Sequence, residues 1–376
     1  MLAIGCRRKA TPATKAFTTL SHFAKQGSLP IICSLGYDLK NQTEQLSSHH
    51  DDHINFPEAL YFEPEILISE NQDGIYIHHE HPEEIFAQIE DSNPASVTPQ
   101  NISLKSRLDR REYIDIIGKV REHITKGDLY EMNFCNEFYA ENIILDPVSC
   151  FLQLSAKSPM PFACLLKADN HVVISASPER FLKHEKGQLT SQPIKGTIRR
   201  GVTPEEDTDL RHKLLHDEKE RAENLMIVDL VRNDLSRSCL PGTVQVNELF
   251  GIHTFPRVHQ MISTITGTLR PDVNPATAIK NAFPMGSMTG APKIKAMQLI
   301  EAYESFKRGI FSGAIGYYTP EGDFDLNVVI RSLIYHSGDN YLSLPVGSAI
   351  TYDAIAEEEW KECLIKRDSV LSILNE

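Results

Sequence analysis

Residues 311–350 read FSGAIGYYTP EGDFDLNVVI RSLIYHSGDN YLSLPVGSAI. Three β-rich runs, 311–318, 324–335 and 341–350, are separated by the polar turns Glu321-Gly322-Asp323 and Ser337-Gly338-Asp339-Asn340. Connections this short join antiparallel neighbours, because parallel strands need a crossover of a dozen or more residues. The stretch therefore reads as strands joined by turns, and it sets the expectation for the rest of the chain.

Working outward, 162–167 and 172–176 predict a hairpin around Ala168-Asp169-Asn170. Upstream, Tyr113, Ile116, Val120 and Ile124 recur at helical spacing, with Gly127 placed as a residue just past the helix end. Residues 218–235 predict a long helix whose run Leu225-Met226-Ile227-Val228 points to deep burial. Residues 286–293 lead into another helix, with Ser287 or Thr289 as cap, Pro292 in the first turn, and Ile294, Met297 and Ile300 facing inward. A last helix covers 356–374. Helices and hairpins alternate without regular βαβ spacing, so the class is α+β with mainly antiparallel sheets.

The N-terminal part is less patterned. Residues 31–37 read as a strand, 59–68 as a mixed apolar run, and 91–100, with Ser92, Asn93, Pro94, Ser96 and Pro99, as a linker into the better patterned part. The first 25 residues carry Arg7, Arg8, Lys9, Lys15 and Lys25 and no acidic residue. A transit peptide has that bias, but the plainer reading is a disordered or misassigned start. The expected organisation is thus 1–25 outside the fold, 26–110 a short N-terminal portion, and 111–376 the catalytic domain.

The 376 residues are 41% hydrophobic with a formal charge of −13, enough to bury a large core and too acidic for nucleic acid or an anionic membrane as main partner. Seven scattered cysteines without a C-x-x-C pair point to a reducing, cytoplasmic setting. No apolar run is long enough to span a bilayer. The strings His49-His50-Asp51-Asp52-His53 and His78-His79-Glu80-His81 invite a metal reading. Runs of adjacent polar residues rarely converge on one ion, so solvated loops are expected.

Two glutamate pairs, Glu220 with Glu223 and Glu359 with Glu362, share the i,i+3 spacing that puts both side chains on one helix face. A single such pair is usually a solvated face, but Glu220 and Glu223 directly precede the apolar run. Four carboxylates facing one another need a cation between them. Oxygen-only ligands favour Mg²⁺ over zinc. Lys195, in Gln192-Pro193-Ile194-Lys195-Gly196-Thr197, is either a surface lysine at a turn or a nucleophile, and attack requires a neutral amine. Burial beside a metal and basic neighbours would supply that condition. Glu179, in Ser177-Pro178-Glu179-Arg180-Phe181, is the acid partner, with a salt bridge to an arginine as the plain alternative. Arg331 falls on the strand face shared by Asp325, Asn327 and Val329, placed for a carboxylate ligand or for an ion pair with Asp325. The 286–293 string lacks the Gly-Lys-Ser/Thr ending of a nucleotide loop.

Taken together, these strings resemble the chorismate-utilising enzymes, from about Tyr113 to Lys366. The further markers are Gly127-Asp128-Leu129-Tyr130, Arg221 to Leu230, Arg232-Asn233-Asp234-Leu235 and Arg308-Gly309. The resemblance implies a four-layer α/β/β/α fold with two packed sheets and a site between them. It implies Mg²⁺ held chiefly by Glu223 and Glu362, with Glu220 and Glu359 behind them through water. Arg331, Gly347 and Lys366 match positions that hold the substrate's carboxylates, and Gly196 and Thr197 line the same pocket. Lys195 matches the lysine of the aminodeoxychorismate synthase component I branch, whereas anthranilate synthases carry alanine there. The implied reaction is addition of that lysine to chorismate and its displacement by ammonia, giving 4-amino-4-deoxychorismate for p-aminobenzoate and folate, with Glu179 moving the protons. No Gly-x-Cys-x-Gly glutaminase motif is present, so ammonia is expected from a separate glutamine amidotransferase, and pyruvate release from a separate lyase.

The chain departs from the family's pattern at Glu131, where the synthases usually have glutamine and isochorismate synthases a lysine base. It departs again at Gln260 (a histidine in many members), Phe311 (a tyrosine in relatives), Met285 and the glycine-poor string Pro345-Val346-Gly347-Ser348-Ala349. The alternatives are anthranilate synthase component I and a non-catalytic chorismate-binding paralogue.

Overall fold

The computed structural model describes residues 1–93 and 101–375, so most of the expected linker, 94–100, lies outside the described residues. Two large antiparallel sheets stack, with helices on both outer faces. The fold is the four-layer α+β arrangement. One sheet runs, in spatial order, Gly290–Ala291, Glu131–Ala140, Tyr341–Ile350, Ser332–His336, His171–Ser177 and Phe162–Ala168. The other runs from Ile194–Arg199 through Val258–Thr268, Gln188–Gln192, Arg180–Glu185, Phe324–Asn327, Ala314–Tyr318, Ile31–Leu35 and Ala59–Glu63 to Arg8–Ala10. A small third sheet joins Leu2–Ile4, Ile66–Asn71 and Gly74–His78.

Local chemistry explains most of the elements. Asp109 and Glu112 close a reciprocal capping box at the start of helix Arg110–Thr125, which buries Tyr113, Ile117, Val120 and Ile124. Lys126 ends it and Gly127 follows at φ 84°, a backbone region open to glycine. Asp217 caps helix Glu218–Ser236 by accepting from the Glu220 amide. That helix buries Ile227 and Val228, but Leu225 faces solvent, so only part of the predicted apolar run is core. Helix Ala356–Asn375 lies over strand Tyr341–Ile350 on the opposite face.

Three expectations are corrected. The first 25 residues are part of the fold: helix Ala16–Lys25 buries Phe17, Leu20 and Ala24 in the main core, and Arg8 donates to Glu63 at 2.6 Å. Their apolar spacing was masked by the basic bias. In the 286–293 string neither Ser287 nor Thr289 caps the helix. Lys293–Tyr303 starts after Pro292 without a side-chain cap, and Ile294 is exposed while Ala296, Met297, Leu299 and Ile300 are buried.

The third correction positions the site. Residues 324–335 are not one strand. Phe324–Asn327 belongs to the larger sheet and Ser332–His336 to the other, and the chain crosses between them through Arg331 at φ 51°. The hairpin strand His171–Ser177 makes the same passage into Arg180–Glu185 at Pro178-Glu179. The two crossings are laced together: Val328 N–H donates to the Glu179 carbonyl (3.0 Å), Ala176 N–H to the Arg331 carbonyl (3.1 Å), and the Ser177 hydroxyl to the Val328 carbonyl (2.6 Å).

Candidate active site

Beside that seam lies a cavity of about 540 Å3, bounded by both sheets and by helices Glu218–Ser236 and Ala356–Asn375. Its lining includes Glu179, Lys195, Gly196, Thr197, Glu220, Glu223, Arg331, Gly347, Glu362 and Lys366. Glu359 is buried just behind. Residues spread over nearly two hundred positions thus converge on one chamber.

Each wall has a local cause. Helical periodicity places Glu359, Glu362, Lys366 and Ser369 on one face of the C-terminal helix. Lys366 Nζ reaches Glu362 Oε1 at 2.5 Å and donates to the Gly347 carbonyl at 2.6 Å. At Gly347 a Cβ would lie 2.5 Å from Cys135 Sγ and 2.6 Å from Asn133 Oδ1, so only glycine fits. Gly196, at φ 87°, lets its strand pass close to Glu220. Arg331 is held by its left-handed backbone and donates to Ser369 Oγ at 3.3 Å. The ion pair with Asp325 is not formed, because Asp325 takes both arms of Arg180 at 2.8 and 2.9 Å. Arg180 being so engaged also sets aside the salt-bridge reading of Glu179.

The electrostatics are uneven. Burial pushes the Glu179 carboxyl up to about 7, with Lys195 pulling the other way. Burial likewise lifts Glu223 to about 7, helped by Glu131 and Glu220, and Glu223 Oε1 has no hydrogen-bond partner. Burial and Glu362 raise Glu220 and Glu359. Glu362 is the exception: burial opposes its ionisation, but Lys366 beside it and Lys219 and Lys195 beyond hold it below the ordinary range. Burial lowers Arg331, with Glu362 opposing.

Lys195 departs from expectation. Its side chain is buried, and burial alone would lower its pKa, but Glu131, Glu223 and Glu179 outweigh that and the net shift is upward. Nζ donates to Glu131 Oε1 at 2.6 Å. The neighbours are carboxylates rather than cations, and the amine rests as an ammonium.

Lys219 was not read from the sequence. It reaches Glu359 Oε1 at 3.4 Å and Glu223 Oε1 at 3.8 Å, an ammonium between the two glutamate pairs. Its signal was its place four residues before Glu223. Asn133, Arg199 and Ser369 also line the cavity without having been singled out. Among the described residues no group of three or more His, Cys, Asp or Glu side chains is set to hold a metal ion. The two glutamate pairs nonetheless have the chemistry of a magnesium site: all-oxygen donors, partly buried, mutually repelling, with one orphaned carboxylate oxygen. Residues 49–53 lie in a loop, with His50 Nε2 2.8 Å from the Glu301 carbonyl, whereas His78 ends strand Gly74–His78 and His81 stands at the start of helix Pro82–Glu90.

The sequence matches the family described as chorismate binding enzyme over residues 6–372. The chain belongs to the chorismate-binding enzymes. It is similar to the aminodeoxychorismate synthase component 1 of Klebsiella aerogenes, 34% identical over 89% of this chain and 75% of that protein. It is also similar to the chloroplastic aminodeoxychorismate synthase of Arabidopsis thaliana, 35% identical over 88% of this chain and 39% of the relative. Against several longer curated relatives the chain spans between 31% and 39% of their length. Among solved structures, anthranilate synthase component I from Streptococcus pneumoniae superposes with a TM-score of 0.88 at 25% identity, covering 98% of this chain and 91% of the other. This chorismate-binding chain also has no helix, among its described residues, long and apolar enough to cross a membrane.

Proposed function

We propose that this chorismate-binding enzyme is component I of an aminodeoxychorismate synthase. It would convert chorismate and ammonia to 4-amino-4-deoxychorismate, with the ammonia delivered by a glutamine amidotransferase partner. The observation that carries this reading is the placement of the Lys195 amine in the cavity, beside Glu179 and facing the glutamate pairs. A lysine at a solvated turn would not line that cavity.

The roles follow from chemistry and position. Arg331 and Lys366 offer a guanidinium fork and an ammonium to the substrate's carboxylates. Glu179, which keeps its proton up to about pH 7, can give it to the departing ring hydroxyl. Lys195, once deprotonated, is the nucleophile that adds to the ring, and ammonia then displaces it. Glu223 and Glu362 would hold a magnesium ion, with Glu220 and Glu359 behind them. When bound, such an ion neutralises charge on a substrate carboxylate. Gly196 and Thr197 bound the pocket on the Lys195 strand. A lyase acting on the released product would complete p-aminobenzoate formation.

Anthranilate synthase component I is the competing reading, favoured by the fold match to the streptococcal enzyme. One assay separates the two. Purified protein is incubated with chorismate, Mg²⁺ and ammonium, with no lyase added. Accumulation of 4-amino-4-deoxychorismate is expected; fluorescent anthranilate would refute the proposal.

A further inference from the structure

An ammonium has three donors and no lone pair, so Lys195 cannot attack until a proton leaves. The groups acting on it are Glu131 from strand Glu131–Ala140, Glu179 from the seam, Glu220 and Glu223 from one helix and Glu362 from another. Glu131 is the one that hydrogen-bonds Nζ among the described residues, at 2.6 Å. Its carboxyl is 1% exposed, and Oε2 has no partner. A buried ion pair seldom stabilises a fold, since desolvation of both charges offsets their attraction. This pair spans the two sheets: Glu131 sits in the smaller, Lys195 on the edge strand Ile194–Arg199 of the larger. Glu131 is absent from the cavity lining, so it reaches a ligand only through the lysine.

From this geometry we propose that Glu131 is the positioning residue that takes the Nζ proton of Lys195 as the amine attacks, and returns it when the amine is released. The inference rests on Lys195 being the nucleophile. In the first step Nζ passes one proton to Glu131 and forms a bond to a ring carbon. The ring C–O bond breaks, and the hydroxyl leaves as water with the Glu179 proton. In the second, ammonia forms the new C–N bond as the bond to Nζ breaks with its electron pair returning to nitrogen. Glu131 gives its proton back to the lysine, and the new ammonium reloads Glu179. The sum is chorismate plus ammonia to amino product plus water.

The test compares wild type, Glu131→Gln and Glu131→Asp with chorismate, Mg²⁺ and ammonium. Turnover is followed between about pH 5 and 6.5, below the range in which Glu179 loses its proton, and acetylation of Lys195 by acetic anhydride is mapped by peptide mass. In wild type the transfer is internal, so the lysine adds no rising limb to the kcat profile. In Glu131→Gln the lysine must shed its proton to water. A limb rising about tenfold per pH unit is expected, while Lys195 acetylates at least about tenfold faster at a given pH below its midpoint. Glu131→Asp, which keeps a carboxylate, should restore the level profile at lower kcat, and carries the test if the glutamine variant does not fold. An unchanged profile in Glu131→Gln, unchanged acetylation, or a rising limb in Glu131→Asp would each overturn the proposal. Failure of the underlying reading looks different: Lys195→Ala would keep turning over, whatever the acetylation of Lys195 shows in the other variants.

Discussion

Lys219 Nζ stands 3.4 Å from Glu359 Oε1 and 3.8 Å from Glu223 Oε1, bridging the two helices that wall the cavity. A protein ammonium thus occupies the space between carboxylates that a divalent cation would share. Lys219→Met removes this competitor. Its apparent Kd for Mg²⁺, measured by calorimetry without substrate, should fall about tenfold, equivalent to ~1.4 kcal/mol. Binding no tighter than wild type would argue against the glutamates as the cation site.

Glu179 should set an alkaline limit. Its folded-state pKa, about 7, lies above the ordinary glutamate value because the carboxyl is buried. The proton-donating form is lost as pH rises, so kcat is expected to drop by about tenfold per unit above that point. Stability should follow the same sign. The folded chain keeps a proton that the unfolded chain releases near pH ~4.3, so folding is favoured less as pH climbs from there to about 7. Glu179→Gln abolishes that decline. Its Tm advantage over wild type should be larger at pH 8 than at pH 5, and an equal difference at both would contradict the assignment.

Gly347 makes a structural prediction with a built-in control. Alanine there would set a Cβ 2.5 Å from Cys135 Sγ. Gly347→Ala should cost about 1–3 kcal/mol and raise the KM for chorismate, since the Lys366 anchor on the Gly347 carbonyl would shift. Adding Cys135→Ala empties the clashing volume and should recover part of both losses. No recovery in the double variant would place the cause elsewhere.

Arg331 and Asp325 can be separated by kinetics. Arg331→Lys keeps the charge but loses the planar fork, and is expected to raise KM for chorismate by about 10- to 100-fold. Asp325→Asn should leave KM nearly unchanged, because its partner is Arg180. A comparable KM rise in both variants would reinstate an Arg331–Asp325 coupling.

Local chemistry made much of this legible in advance. The helix end at Gly127, the turn at Asp169 and the glutamate faces depend on spacing and single-residue preferences, which a sequence displays. The seam does not. The alternation Phe324, Leu326, Val328, Ile330 continues through the crossing without a break, because hydrophobic periodicity records burial and not which sheet supplies it. The left-handed turn at Arg331 uses a residue with no preference for that conformation. The charge state of Lys195 was hidden for a related reason. Its decisive neighbour, Glu131, is 64 positions away and meets it only through the packing of two sheets.

The double passage of the chain at Pro178-Glu179 and Val328 to Arg331 also governs how the enzyme can breathe. Two leaves stitched at adjoining points cannot part at that seam, so the segments carrying the acid and the guanidinium fork are tied to each other by backbone bonds. Admission of substrate must fall instead to the periphery. Strand Ile194–Arg199, paired on one side alone among the described residues, is the less tightly held part, and the amine would travel toward the ring while Glu179 stays still.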